Sequence, residues 1–175
     1  MPARTYILAD LLYIGAWLAL IGLPLALLAS FLFGDLASSA QHAFPGVTVA
    51  EPLASTRALF VLLTGLVPGL AVLYAIWQCQ ALFKLYRLGH TLSAEAAQRI
   101  RQIGMGCLAA ALLSILVRPV QVLILTAANA PGERAVAISF SSGDVGFALA
   151  GGLMIVIGAT MAEAARIAEE HKAII

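Results

Sequence analysis

Arg118 is the side chain in this sequence that most demands a chemical account. It lies inside an apolar run, roughly 22 Å along a helix counted from Ile103. An arginine at that depth costs a few kcal/mol, so it must face protein or water or snorkel outward, and an intramembrane charge is by default a functional hypothesis. Two acids, Asp10 and Glu163, also sit about a turn or more inside apolar helices. Together with Arg118 they could serve a proton or cation path, because paired carboxylates in a bundle are what such sites require. Neutralised pairing costs less. Arg118 has Asp144, Glu51 and Asp35 as candidate partners, besides carbonyls freed by Pro119, while Asp10 and Glu163 lie within reach of Lys84 and Arg87. We favour the ion pairs.

Other chemistry finds little support. His42, His90 and His171 occupy different loops and the tail without metal-ligand spacing, and no HExxH, phosphate-binding loop, GxSxG or dinucleotide fingerprint occurs. Cys79 and Cys107 fall inside apolar runs, and buried free thiols are their expected state. No catalysis, metal or cofactor is expected.

The elements that must position these residues follow from composition. The 175 residues are 62% hydrophobic and 11% charged, against about half and a quarter in soluble domains, so lipid must solvate this surface. A net charge of +1 gives no support to direct nucleic-acid binding. Four apolar runs predict an all-α integral membrane protein. A single membrane domain, 1–175, has helices at about 6–33, 57–88, 94–127 and 144–170. A cleaved leader would carry a shorter apolar region and a more basic start than Arg4 alone, so the first run is taken as a helix. Pro68 and Pro119 should bend their helices rather than end them, since apolar residues continue on both sides. Gly89 reads as a C-terminal cap, and Ser93 with Glu95 as the start of the next helix. Val47 to Val49 and Ala135 to Phe140 are β-prone and are expected to pair as a small external cap.

Seven basic residues, Arg4, Lys84, Arg87, Arg99, Arg101, Arg166 and Lys172, fall on one side, against Arg57 and Arg134 on the other. That asymmetry puts both termini and the loop between helices 2 and 3 in the cytoplasm. Trp17, Trp77, Tyr74 and Tyr6 read as scattered rather than banded. Small residues form stripes: Gly15, Ala19, Gly22, Ala26 and Ala29 on helix 1, and Ala148, Gly151, Gly158, Ala162 and Ala165 on helix 4, with Gly106 and Ala110 on helix 3. Such stripes allow close helix approach in lipid. We favour an intramolecular seam over a dimer face.

Two stretches resemble a known family. They are Ala81-Leu-Phe-Lys-Leu-Tyr-Arg-Leu-Gly-His-Thr-Leu-Ser-Ala-Glu95 through Arg99-Ile-Arg-Gln-Ile-Gly104, and Met161-Ala-Glu-Ala-Ala-Arg-Ile-Ala-Glu-Glu-His171. Asn129-Ala-Pro-Gly-Glu-Arg134 and Ser141-Ser-Gly-Asp144 are similar too. The family is the bacterial membrane proteins called domain of unknown function 2975. The resemblance implies a four-helix inner-membrane protein with no established activity, and a membrane partner for a small helix-turn-helix regulator. The end, Lys172 to Ile175, departs from the family's usual polar and aromatic residues.

The leading expectation is therefore a non-enzymatic bacterial inner-membrane protein whose basic 82–101 hairpin, carrying Lys84, Arg87, Arg99 and Arg101, contacts a cytoplasmic regulator. One alternative is a small transporter or channel component using Arg118 with Asp10 or Glu163. Another is an accessory subunit of a larger membrane complex, its oligomeric state left open.

Overall fold

The computed structural model describes residues 3–33, 55–89, 91, 93–127, 129 and 141–172. They form four long helices: α1 (Ala3–Phe33), α2 (Ser55–Arg87), α3 (Ala94–Thr126) and α4 (Ser142–Lys172). The observed ends lie within three residues of those read from the apolar runs. No strand occurs among the described residues. The expected β cap, Val47 to Val49 with Ala135 to Phe140, lies outside them, as do His42, His90, Asp35 and Glu51.

Each helix is long enough to cross hydrocarbon. The 33 residues of α2 and of α3 give each a length of about 50 Å, against a hydrocarbon core of about 30 Å. Spanning windows have mean hydropathies of 1.7 to 2.3. Large apolar side chains stay open to the surroundings on every helix, Leu18 at 69%, Leu70 at 63%, Leu116 at 67% and Leu149 at 70% exposed. In water that surface would be untenable; in lipid it is the contact surface. This is a four-helix multi-pass membrane protein.

Helix ends follow local chemistry. Gly89 takes φ +84°, the left-handed conformation that terminates α2, with its N–H donating to the Tyr86 carbonyl at 3.1 Å. Ser93 opens α3, its hydroxyl accepting from the Ala96 N–H at 3.1 Å. Pro24, Pro68 and Pro119 lie inside helices that continue through them. Next to Pro68, the Thr64 hydroxyl donates to the Phe60 and Val61 carbonyls, and the Gln121 amide crosses from α3 to donate to Val61 at 3.0 Å. That reach depends on Gly65, where a Cβ would stand 3.0 Å from the Gln121 nitrogen.

The helices pack in chain order, α1 on α2, α2 on α3 and α3 on α4, with the two α3 seams the more extensive. Glycine lets backbones touch at the α3–α4 seam. A Cβ at Gly104 would lie 2.6 Å from the Gly151 carbonyl oxygen, one at Gly151 2.7 Å from that of Gly104, and one at Gly158 2.8 Å from the Arg101 nitrogen. Gly106 likewise abuts Ala75 across the α2–α3 seam. Hence Gly151 and Gly158 of the helix 4 stripe lie in a seam inside the chain, as expected, whereas Ala162 stays exposed. The helix 1 stripe forms no such seam. Nothing comes within 4 Å of a Cβ at Gly15 or Gly22, because α1 turns Ala9, Ala16 and Tyr13 toward α2 and its small-residue face the other way.

Packing order also fixes depth. Asp10 meets Arg87, and Tyr13 bonds the Gln80 side chain, so Trp17 and Trp77 lie level to within about a helical turn. Gln78 meets Arg99 across the next seam, and this puts Arg101 at the same level. Both tryptophans face outward, at 42% and 54% exposure. Trp17 and Trp77, which read as unrelated in sequence, therefore share one level, and α1 continues beyond it through the exposed Leu11, Leu12 and Ile14.

Candidate functional site

Charged and polar side chains gather at two levels, one at each end of the apolar span. At the level away from the termini, α4 begins with a reciprocal cap. The Ser141 N–H and hydroxyl each donate to Asp144 Oδ2 at 2.9 Å, while the Asp144 N–H donates back to Ser141 Oγ at 3.1 Å. Asp144 is only 6% exposed, and the Ser114 side chain of α3 bonds it from across the seam. Arg118 brings its Nη2 to 3.6 Å from the same carboxylate oxygen. Arg118 thus meets the first acid on its candidate list, and α4 is tied to α3 at its first turn.

The other level holds the basic hairpin. Arg87 forms an ion pair with Asp10 and lies over the Tyr13 ring, 4.8 Å from its centroid. Arg99 donates to the buried Gln78 Oε1 at 2.9 Å and approaches Glu95 of its own helix at 3.5 Å. Glu163 pairs with Arg166 at 2.6 Å, and Arg166 also holds Glu170 at 2.8 Å. Among the described residues, the side chains of Lys84 and Arg101 have no ion pair or hydrogen bond.

Asp10 meets Arg87, as the cheaper reading required. Glu163 is served by Arg166 on its own helix instead of by Lys84 or Arg87. Asp10 and Glu163 are not brought together, since α1 and α4 occupy opposite edges of the row. Arg118 lies at least roughly 30 Å along the helix axes from either acid. A groove of about 370 Å³ between α1 and α2 is lined by Leu23, Pro24, Leu28, Leu62, Leu66 and neighbouring apolar groups, so it offers no polar path.

No cluster of three metal-ligating side chains occurs among the described residues. Cys79 and Cys107 are free thiols packed against the cluster of Leu82, Ala96, Ile100 and Ile103. Sequence reasoning passed over Ser114 and Gln121, and read Gln78 only as part of the polar stem of helix 2; the partners of all three sit on a neighbouring helix. It also passed over Gln102, whose Oε1 is buried with no hydrogen-bond partner among the described residues. Their signal was polarity inside apolar runs, one residue at a time, without the charge that drew notice to Arg118.

The profile of a family described as protein of unknown function, DUF2975, matches residues 10–175. The chain belongs to this family. The match to DUF2975 runs from Asp10 through α2, α3 and α4, and so includes both charged levels. No curated protein and no solved structure matches. The family description carries no activity.

Proposed function

We propose that this chain is a non-enzymatic protein of the bacterial inner membrane that docks a cytoplasmic protein, a regulator by the family resemblance, on the ends of α2, α3 and α4. The asymmetry of seven basic residues against two directs this end to the cytoplasm. The observation that carries the reading is the length of helix beyond the Trp17, Trp77 and Arg101 level. The α2–α3 hairpin continues past it by about 13 Å, and α4 by about 22 Å. Spanning a bilayer does not require those extensions.

Charge pairing within the 82–101 hairpin supports a narrower docking face than the whole basic cluster. Arg87 and Arg99 already serve Asp10, Gln78 and Glu95. Lys84 stands exposed about 9 Å beyond the aromatic level and is available to an acidic partner. Along α4, Glu163, Arg166, Glu169 and Glu170 present an exposed face of mixed charge.

The test is recovery of a partner from mild detergent with the full chain as bait. Lys84→Glu is expected to lower recovery of a stoichiometric cytoplasmic protein by up to about fivefold, the upper value of one exposed charge contact. Equal recovery by the variant and the parent chain, both folded, contradicts the proposal. A transport reading through Arg118 with Asp10 or Glu163 gains no support from side chains so far apart.

A further inference from the structure

We infer that Arg101 anchors the phosphate of an anionic phospholipid in the leaflet at the basic end of the protein. The inference goes beyond partner docking and does not rest on it.

The first support is the charge pairing. Most arginines near the two ends of the apolar span have a counter-ion from the chain itself: Asp10 for Arg87, Glu95 for Arg99, Asp144 for Arg118, and Glu163 with Glu170 for Arg166, while Arg57, at the end away from the termini, has none among the described residues. Arg101 is left without a counter-ion among the described residues, two positions from an arginine that has one. Lys84 is also unpaired, but it stands about 9 Å farther out, beyond the aromatic level. Arg101 lies at the level of Trp17 and Trp77, exposed rings of the type that favours a membrane interface. An exposed guanidinium there faces lipid phosphates rather than water alone.

The second support is the surface around it. Met105, Leu112 and Leu116 follow Arg101 at spacings of four, seven and four, which aligns them down one face of α3. They are 45%, 55% and 67% exposed, so the stripe below Arg101 is open to an acyl chain. On its flank, α4 places Gly158 where a side chain would cover the arginine stem; a Cβ there would come within 3.0 Å of Arg101 Cβ. The missing side chain leaves the stem free to swing its guanidinium into the headgroup layer.

The third support is the span. From Arg101 to Arg118 is roughly 26 Å along α3, close to one hydrocarbon thickness. Arg118 therefore marks the opposite boundary, and there Asp144 neutralises it. One boundary arginine carries a protein counter-ion and the other does not. A guanidinium presents parallel donors that match two phosphate oxygens, so a phosphodiester completes Arg101 as Asp144 completes Arg118. A zwitterionic lipid brings its own ammonium to compete for that phosphate, which is why the site selects a net anionic headgroup.

The experiment uses the full chain in vesicles of phosphatidylcholine containing a spin-labelled phosphatidylglycerol or, separately, a spin-labelled phosphatidylcholine, with relative association constants read by electron spin resonance. The expected result is a preference for phosphatidylglycerol that Arg101→Gln lowers on the order of fivefold, the effect of one basic residue at an anionic surface. Arg101→Lys should keep only part of it, since an ammonium holds the charge but not the paired donors, and Lys84→Gln should leave it unchanged. An unchanged preference in Arg101→Gln overturns the site. Equal loss in Lys84→Gln overturns it too, because the attraction would then be diffuse. Soluble glycerol phosphate abolishing the preference at millimolar concentration would mean a free-anion site and would also overturn the lipid assignment. Because Arg101→Gln reports on lipid and Lys84→Glu on partner recovery, the two proposals fail separately.

Discussion

Replacing Asp144 by Asn should loosen α4 from α3 by a measurable and divisible amount. The substitution keeps an acceptor but removes the charge that three groups use: the Ser141 cap, the Ser114 side chain and Arg118. An acid in the first turn of a helix contributes about 0.3–1 kcal/mol through the helix dipole. Weakening charge-assisted bonds to neutral ones costs about 1 kcal/mol more. For Arg118 the pair is long, at 3.6 Å, and its side chain is 29% exposed, so the range for open pairs applies, about 0.2–1 kcal/mol, rather than that of a sealed pair. The total is about 2 kcal/mol. Reversible unfolding in mixed dodecylmaltoside and dodecyl sulfate micelles, followed by far-ultraviolet circular dichroism, would measure it. Arg118→Gln and the double variant complete a cycle whose coupling should be about 0.2–1 kcal/mol. A coupling of zero would refute the tie between Arg118 and Asp144. A cost below about 0.3 kcal/mol for Asp144→Asn would refute the cap as well.

Glycines separate the seams from the open face. Gly151→Ala and Gly158→Ala should each destabilise by about 1–3 kcal/mol, because the new methyl meets α3 backbone that cannot rotate aside. Gly15→Ala and Gly22→Ala should be neutral or stabilising by about 0.5–1 kcal/mol in the same micellar assay, since they meet open space and gain helix propensity. Arg99→Ala should cost about 1–2 kcal/mol by leaving the buried Gln78 amide unpaired, whereas Arg101→Ala should stay within about 0.5 kcal/mol of the parent. Cys79 and Cys107, half buried and free, should resist a membrane-impermeant maleimide in vesicles and react after denaturation, as counted by mass spectrometry.

Much of the fold could be read from residue patterns because each relevant signal is local. Apolar runs fix the spans, Ser93 and Gly89 fix helix ends through their own backbone and side-chain bonds, and opposite charges at matching depth find each other, as with Asp10 and Arg87. What was not legible depends on which helix stands beside which. The α1 stripe has ideal spacing for a seam, but spacing defines a face without naming its neighbour, and α1 turns another face to α2. Trp17 and Trp77 looked unrelated because their common level emerges only once α1 and α2 are set antiparallel in register. Arg99 and Arg101 are equivalent as charges in a string. Two positions turn a helix by about 200°, so one points at Gln78 in the α2 seam and the other flanks α4 at the lipid surface. Glu163 was assigned to the wrong basic partner for a similar reason: Arg166, three residues on, is nearer than any cation on α2.

The central claim is that the helix ends beyond the aromatic level exist to hold a cytoplasmic protein. A photo-crosslinking amino acid placed in living cells at Lys84, at Glu169 and, as a lipid-facing reference, at Leu149 tests it most directly. The account predicts one shared crosslinked protein of defined mass at Lys84 and Glu169 and none at Leu149. Crosslinks to lipid alone at all three positions, or the same protein at Leu149 as at the other two, would contradict it.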